Sequence, residues 1–595
     1  MNRTLKTYLL LITFLTLSCA IKVKMEESKK ENPAVTELHK LFDDDWELTL
    51  KENPVFATML GDKRYSDKLS VVSVAHSEEL NQMNKDFLVR LAAIDRSALP
   101  KNEKLNYDIY KRLTEDAVES ADFKSYLRPI TNRGGFHISF PQLHERVPLN
   151  DVEDYENYIA RLNAFKNYAE SHIEVMRVGM EGGYVLPKIV LEGAEDTIEP
   201  HIVADATESL LYKPFEKYPK GIDEADQSRL TEAGVDAIMN SIVPGYKLFL
   251  EFMMNEYLPA SSDDIAASSL PNGKAYYEYR VRSYTTLQVT PQEVHDRGLS
   301  EVARIRIEMD EVIKGSGFEG DFKAFVEFLR TDDQFYVDTP EQLMKEVAVV
   351  LKKMDGQLPS LFGKLPRMPY GIKKVPDFIA PKTTTAYYSR PSGDGTKAGF
   401  YYVNTYDLRS RPTYEIQALS LHEAVPGHHL QIGLQQELEN LPTFRLYSGF
   451  TAFTEGWALY AERLGLEAGM YEDPYSNFGR LTYEMWRALR LVVDTGMHYF
   501  GWSRQRDIDY MAENSALTLH NITTEVDRYI SWPGQALAYK TGELKIRELR
   551  ARAEEKLGKS FDIRAFHDVV LGSGAVPLNV LEANVDEWIA SEMGM

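Results

Sequence analysis

Apolar residues recur at three- and four-residue spacing through most of this 595-residue chain. Stretches at about 36–60, 76–95, 101–120, 151–181, 226–257, 292–314 and 340–357 carry the pattern, which predicts amphipathic helices. The same spacing returns at about 412–425, 428–440, 450–467, 475–500, 505–515, 523–530 and 533–555. Thr290, followed by Pro291, Gln292 and Glu293, has the form of a helix start, with Pro at the first position and an acid two residues later. One region differs. Between Thr384 and Asn404, Ala386-Tyr387-Tyr388 and Phe400-Tyr401-Tyr402-Val403 flank the turn signal Ser392-Gly393-Asp394-Gly395. That pattern predicts a β-hairpin. The expected fold is mainly α, a large helical fold with a small β-hairpin or sheet. No linker or internal repeat divides the body, which reads as one helical domain over about 36–595. Its N-terminal half would span about 36–290 and its catalytic half about 291–595.

Composition adds bounds. Hydrophobic content of 44% and aromatic content of 11% suffice for a large core. A net charge of −22 argues against nucleic acid as a partner, because phosphate recognition requires a basic stripe. At the N-terminus, Arg3 and Lys6 precede the short apolar run Tyr8 to Leu17, which ends at Ser18-Cys19-Ala20. The run is too short for a spanning helix and reads as a signal peptide over 1–18. It resembles a bacterial lipoprotein signal, in which Cys19 is lipidated and attaches the mature chain to a lipid bilayer. Thr16-Leu17-Ser18 departs from the commonest pattern, which has Leu three residues before the Cys. Cys19 is the sole cysteine, so no internal disulfide forms. Residues 19–35 are polar beyond Cys19 and read as a flexible tether.

The candidate chemistry sits at 419–431, where the chain reads Leu-Ser-Leu-His-Glu-Ala-Val-Pro-Gly-His-His-Leu-Gln. Three of the chain's 13 histidines, His422, His428 and His429, fall within eight positions beside Glu423. Imidazole is the usual nitrogen ligand of zinc, and an adjacent carboxylate serves as general base on a metal-bound water. A further ligand is available downstream, in the segment containing Glu455 and Glu462. The spacing departs from the common zinc-peptidase signature, whose two histidines are at i and i+4. On a regular helix i+6 points roughly 240° away and i+7 lies roughly 10 Å along the axis. Neither pair could share an ion that needs its donors within about 3–4 Å of one another. Pro426 breaks the helix and Gly427 permits a bulge. Two looped-out residues would return His428 to the position one turn above His422; His429 remains the alternative second ligand.

Together with Phe453-Thr454-Glu455-Gly456-Trp457-Ala458-Leu459-Tyr460-Ala461-Glu462, Arg490 to Gly496, and Pro533 to Gly542, this block resembles the bacterial domain-of-unknown-function family 885. Asp154-Tyr155 with Arg161-Leu162, Leu270 to Gly273, and Gly399 to Thr405 extend the likeness over most of the chain. The family looks like a distant relative of the Glu-zincin peptidases, mostly helical, with two His and one Glu holding zinc. The resemblance implies one zinc ion held by His422, His428 and Glu455, with Glu423 as general base and the hairpin next to the active site. Glu462, seven residues beyond Glu455, would share its helix face and support a ligating histidine. Related helical peptidases place a tyrosine after a Gly-rich segment, which implies Tyr539 as the oxyanion donor, with Lys540 a weaker candidate. Asp494 and His498, at i and i+4, would face together.

The expected function is therefore a zinc-dependent peptide hydrolase anchored to the cell envelope, with a peptide substrate. The alternatives are a metal-dependent amidase on a non-peptide substrate, or an inactive peptidase-like binding lipoprotein. For the anchor, labelled fatty acid should enter the wild-type chain in cells and fail to enter Cys19→Ser; a wild type that incorporates no label would mean secretion without an anchor.

Overall fold

A computed structural model describes residues 32–377, 380, 384–391, 397–439 and 441–594. Cys19, most of the tether and the turn signal at 392–395 lie outside the described residues. The described chain is mainly helical with one small sheet. The elements that position the site are α1 (Lys101–Asp122), α2 (Val152–Glu181), α3 (Gly273–Thr285), α4 (Pro291–Gly315) and α5 (Pro340–Asp355). They are followed by β1 (Tyr370–Lys374), β2 (Ala386–Ser389) and β3 (Gly399–Val403). Then come α6 (Ile416–Glu423), α7 (His428–Gln436), α8 (Thr451–Leu464), α9 (Pro474–His498), α10 (Leu519–Ser531) and α11 (Ala538–Leu557).

Local chemistry accounts for several boundaries. α4 begins with a complete capping box: Thr290 caps the Glu293 amide, the Glu293 carboxylate accepts from the Thr290 amide, and Pro291 fills the first turn. The expected helix over 226–257 instead passes through two π-helical stretches, Ile238–Ile242 and Met253–Tyr257. α11 starts later than its expected boundary. Gly534 takes a left-handed φ of +81°, so Pro533-Gly534 forms a turn ahead of the helix.

Two apolar cores hold the elements together. One joins α2, through Tyr158, Leu162 and Phe165, to α9, through Leu481, Met485 and Leu489. The other joins Leu421 of α6, Tyr401 and Val403 of β3, Trp457 of α8, and Ile546 and Leu549 of α11. Each core draws residues from both sides of position 290. α9 is the axis between them, and from Phe478 to His498 every residue except Trp486 is buried. It carries charges inward, and these are paired. The Glu484 carboxylate accepts from Lys540 at 2.8 Å and from Arg480 at 2.8 Å. Without those partners each buried charge would be strongly destabilising.

The sheet has the order β1-β3-β2. β2 and β3 pair antiparallel, with Tyr388 opposite Tyr401, as the aromatic alternation predicts. β1, which the sequence pattern did not predict, runs parallel to β3 on its other side, with Ile372 opposite Tyr401. β3 turns Gly399, Tyr401 and Val403 inward and leaves Phe400 and Tyr402 half-buried. β2 is an edge strand and packs against α6, the helix that carries His422 and Glu423.

Away from the sheet, His137, His172 and His201 are held at about 4 by burial, and neither ring nitrogen of His172 has a hydrogen-bond partner. His172 stacks on Phe136 at 4.2 Å. An imidazole depressed in the folded state stays neutral while the unfolded chain takes up its proton near 6.5. Its contribution to stability is intact above that value and is lost as the pH falls from about 6.5 toward 4. His172→Phe keeps the stack and removes the titration. Its thermal midpoint should therefore fall less steeply than the wild type's between pH 6.5 and 4.5. Parallel curves for the two proteins would contradict this.

Candidate metal centre

α6 ends at Glu423, and α7 starts again at His428. Between them Ala424 has φ −108° and ψ −102°, the Val425–Pro426 peptide is cis, and Gly427 has φ −76° and ψ −125°. The break folds tightly onto the helix it has just left. A Cβ at Gly427 would lie 1.9 Å from the His422 carbonyl oxygen and 2.4 Å from that of Leu421, so a side chain is excluded there. The Trp457 indole donates to the Pro426 carbonyl at 2.8 Å and ties the break to α8. α8 in turn lies close against α11. A Cβ at Gly456 would lie 2.5 Å from the Gly542 Cα, and one at Gly542 would lie 1.8 Å from the Ala452 carbonyl oxygen.

This packing brings three of the predicted residues together. The Glu455 Oε2 lies 3.5 Å from the His422 Nε2 and 3.6 Å from the His428 Nε2. All three donor atoms fall within 4.8 Å of one another. The two rings stand nearly perpendicular, at 87°, with centroids 4.8 Å apart. A tetrahedral ion about 2.1 Å from each ligand needs donors about 3.4 Å apart, so the donor set fits a zinc-sized cation with small adjustments. His422 Nδ1 donates to the Glu462 Oε1 at 2.7 Å, which leaves the Nε2 lone pair for a ligand. Glu455 and Glu462 share one face of α8, as their spacing requires, and only Glu455 reaches both histidines.

His429 points elsewhere. Its Nδ1 accepts from the Tyr388 hydroxyl at 2.8 Å, and its Nε2 donates to the Met368 carbonyl at 3.1 Å. Both nitrogens are committed to the sheet and the segment before it, and His428 is the histidine that joins the cluster.

The electrostatics separate the carboxylates. Burial lifts Glu423 to about 7, with the negative charge of Glu455 adding to it and His422 opposing. Glu455 is also subject to burial, but hydrogen bonding to His422 and the neighbouring imidazoles outweigh that and hold it at about 2. Burial lowers His428 to about 4; at His422 the partners Glu455 and Glu462 overcome burial and hold it at about 9. The two carboxylates thus differ: Glu455 stays ionised, and Glu423 titrates near neutral pH. The Glu455 side chain remains 22% exposed and that of His428 12%, so the cluster opens to solvent on one side.

The chain matches the family described as "Bacterial protein of unknown function (DUF885)" over residues 54–585. The protein belongs to the DUF885 family. None of the curated proteins matches it. Among solved structures, it is similar to the "putative lipoprotein" from Colwellia psychrerythraea, with a TM-score of 0.87 and 28% identity over 94% of this chain and 99% of that one. A "putative lipoprotein of unknown function" from Shewanella oneidensis shares the fold, with a TM-score of 0.70 at 17% identity over 92% of this chain and 98% of the other.

The other residues singled out in the DUF885 sequence blocks have the following surroundings. Tyr539 is half-buried in the first turn of α11, with the Arg490 guanidinium 4.4 Å from its ring centroid. Lys540 is fully buried and held by Glu484, Glu543 and Glu301. Asp494 and His498 do not pair. Asp494 accepts from the Tyr277 hydroxyl at 2.6 Å and the Gly534 amide at 3.1 Å. His498 accepts from the Ala267 amide through Nδ1 and donates to the Tyr529 carbonyl through Nε2. Arg487 escaped the sequence reading because one charge on a long helix looks like a solvated position. It is buried, 3.8 Å from the Glu462 Oε1, and its charge reaches Glu423, His428 and Glu455.

Proposed function

We propose that this DUF885 protein is a zinc-dependent peptide hydrolase attached to the cell envelope. The observation that carries the reading is the convergence of His422, His428 and Glu455, with the carboxylate Glu423 next in the chain to the first of them. Zinc held by the three ligands would lower the pKa of water at its open position toward about 7. Glu423 would take a proton from water and hand it to the leaving amine. The hydrogen bond to Glu462 orients His422 and keeps its Nε2 toward the other ligands. Tyr539 is the proposed donor to the developing oxyanion.

A peptide is favoured over a compact amide by the sheet. β2 presents an unpaired edge among the described strands and packs against α6, so an extended chain added along it would pass the metal ligands. The descriptions of the two similar structures as lipoproteins support an anchor at Cys19.

Glu423→Gln keeps the shape and removes the basicity. It should retain about one zinc per chain while peptide hydrolysis falls by roughly 10²–10⁴. Tyr539→Phe should also keep its zinc, with a similar or smaller loss in kcat. Zinc content and hydrolysis rate measured on the same preparations decide it, and a Glu423→Gln protein that hydrolyses at the wild-type rate would remove Glu423 from the chemistry.

A further inference from the structure

A cavity of about 370 Å³ lies between α1, α3 and the start of α8. Its wall includes Arg112 and Asp116 of α1, Arg280 and Tyr284 of α3, and Gly449 and Thr451. Thr451 is one helical turn before the candidate metal ligand Glu455, on the same face of α8 and about 6 Å along the axis. The cavity and the candidate metal centre therefore share α8.

The wall contains donors without acceptors. Arg280 donates through Nε to the Pro533 carbonyl at 3.1 Å and through Nη2 to the Tyr284 hydroxyl at 2.9 Å. Among the described residues no carboxylate lies within ion-pair distance of it; buried Arg480 and Arg490 have one, and buried Arg161 and Arg445 do not. Its Nη1 protons and the second Nη2 proton have no protein acceptor. The Tyr284 oxygen accepts from both Arg280 and the Trp532 indole, at 2.9 and 2.5 Å. Both lone pairs are then used, and its own proton has no protein acceptor either. Arg112 gives one Nη2 bond to the Arg282 carbonyl and lies 4.0 Å from Asp116. Asp116 is the one carboxylate in the wall, and it accepts from the Ser283 hydroxyl at 2.8 Å. A guanidinium fork and a phenol proton, both open to the same cavity, call for a planar anion with two acceptor oxygens.

We propose that this cavity binds the free C-terminal carboxylate of the substrate peptide. The inference rests on the peptide-hydrolase reading and narrows it: the protein acts at the carboxyl-terminal end of its substrate. The Phe450 and Tyr284 rings give the departing end an apolar wall. The carboxylate binds without any covalent step.

The test is calorimetry on the full-length protein after chelator treatment, so that binding is read without turnover. The ligands are N-acetyl-alanyl-phenylalanine and its C-terminal amide. The acid should bind at least about tenfold more tightly than the amide, as expected for hydrogen bonds to a charged group. Arg280→Gln should bring the two within about threefold, and Tyr284→Phe should narrow the gap partway. Should Arg280→Gln fail to fold, Gly449→Leu is the second variant. A Cβ there meets no atom within 4 Å, so the side chain enters open space, and it should weaken binding of the acid. Equal binding of acid and amide by the wild type, or an acid preference that survives in both Arg280→Gln and Gly449→Leu, would overturn the proposal. Acid-selective binding by a protein that hydrolyses no peptide would sustain the carboxylate site and refute the hydrolase reading alone.

Discussion

The candidate site depends on one close backbone contact. Gly427 lies directly on the His422 and Leu421 carbonyl oxygens, a space no Cβ can share. That contact ends α6, lets α7 restart at His428, and sets the second imidazole at right angles to the first. Had the helix continued through 424–427, the two rings would lie far apart and the Glu455 carboxylate could not reach both. The Trp457 indole holds the break from the α8 side, and Glu455 stands two residues before it on the same helix. Ligand placement and the packing of the break are therefore one arrangement.

Around this arrangement the fold places charge with care. His422 leans on the buried Glu462, and Glu462 has Arg487 within 3.8 Å. The next charges along α9 belong to a separate network centred on Glu484, which occupies Lys540, Arg480 and Arg304. Arg280 stands outside both networks, satisfied by a carbonyl and a phenol and by no carboxylate. Buried cations without a counter-charge are costly. A guanidinium with unused donors that lines a cavity is suited to an anionic ligand there.

Much of this was legible in the sequence, for identifiable reasons. The helices show because a buried face imposes its spacing on the residues, and the hairpin shows because aromatic alternation marks β2 and β3. β1 did not show: Tyr370-Gly371-Ile372-Lys373-Lys374 has no clean alternation, and its partner lies about 30 residues away in parallel. The helices Ile563–Leu571 and Leu578–Glu592 lie beyond the last expected one, although Leu578, Leu581, Val585 and Ile589 carry ordinary helical spacing. At the site, the crowding of His422, Glu423 and His428 was visible, and so was the need for a break at Pro426-Gly427. The choice between His428 and His429 was not, because it depends on torsions at 424–427 and on Tyr388 and Met368 claiming His429. Lys540, Asp494 and His498 misled for the same reason: their partners are distant in sequence, and only the fold reveals that they are already engaged.

The most direct test of the central claim is the position of the metal itself. Crystals of zinc-loaded protein, with diffraction recorded on both sides of the zinc absorption edge, should show one anomalous peak about 2 Å from His422 Nε2, His428 Nε2 and a Glu455 carboxylate oxygen. A peak at His429, or no peak within reach of the three, would contradict the account.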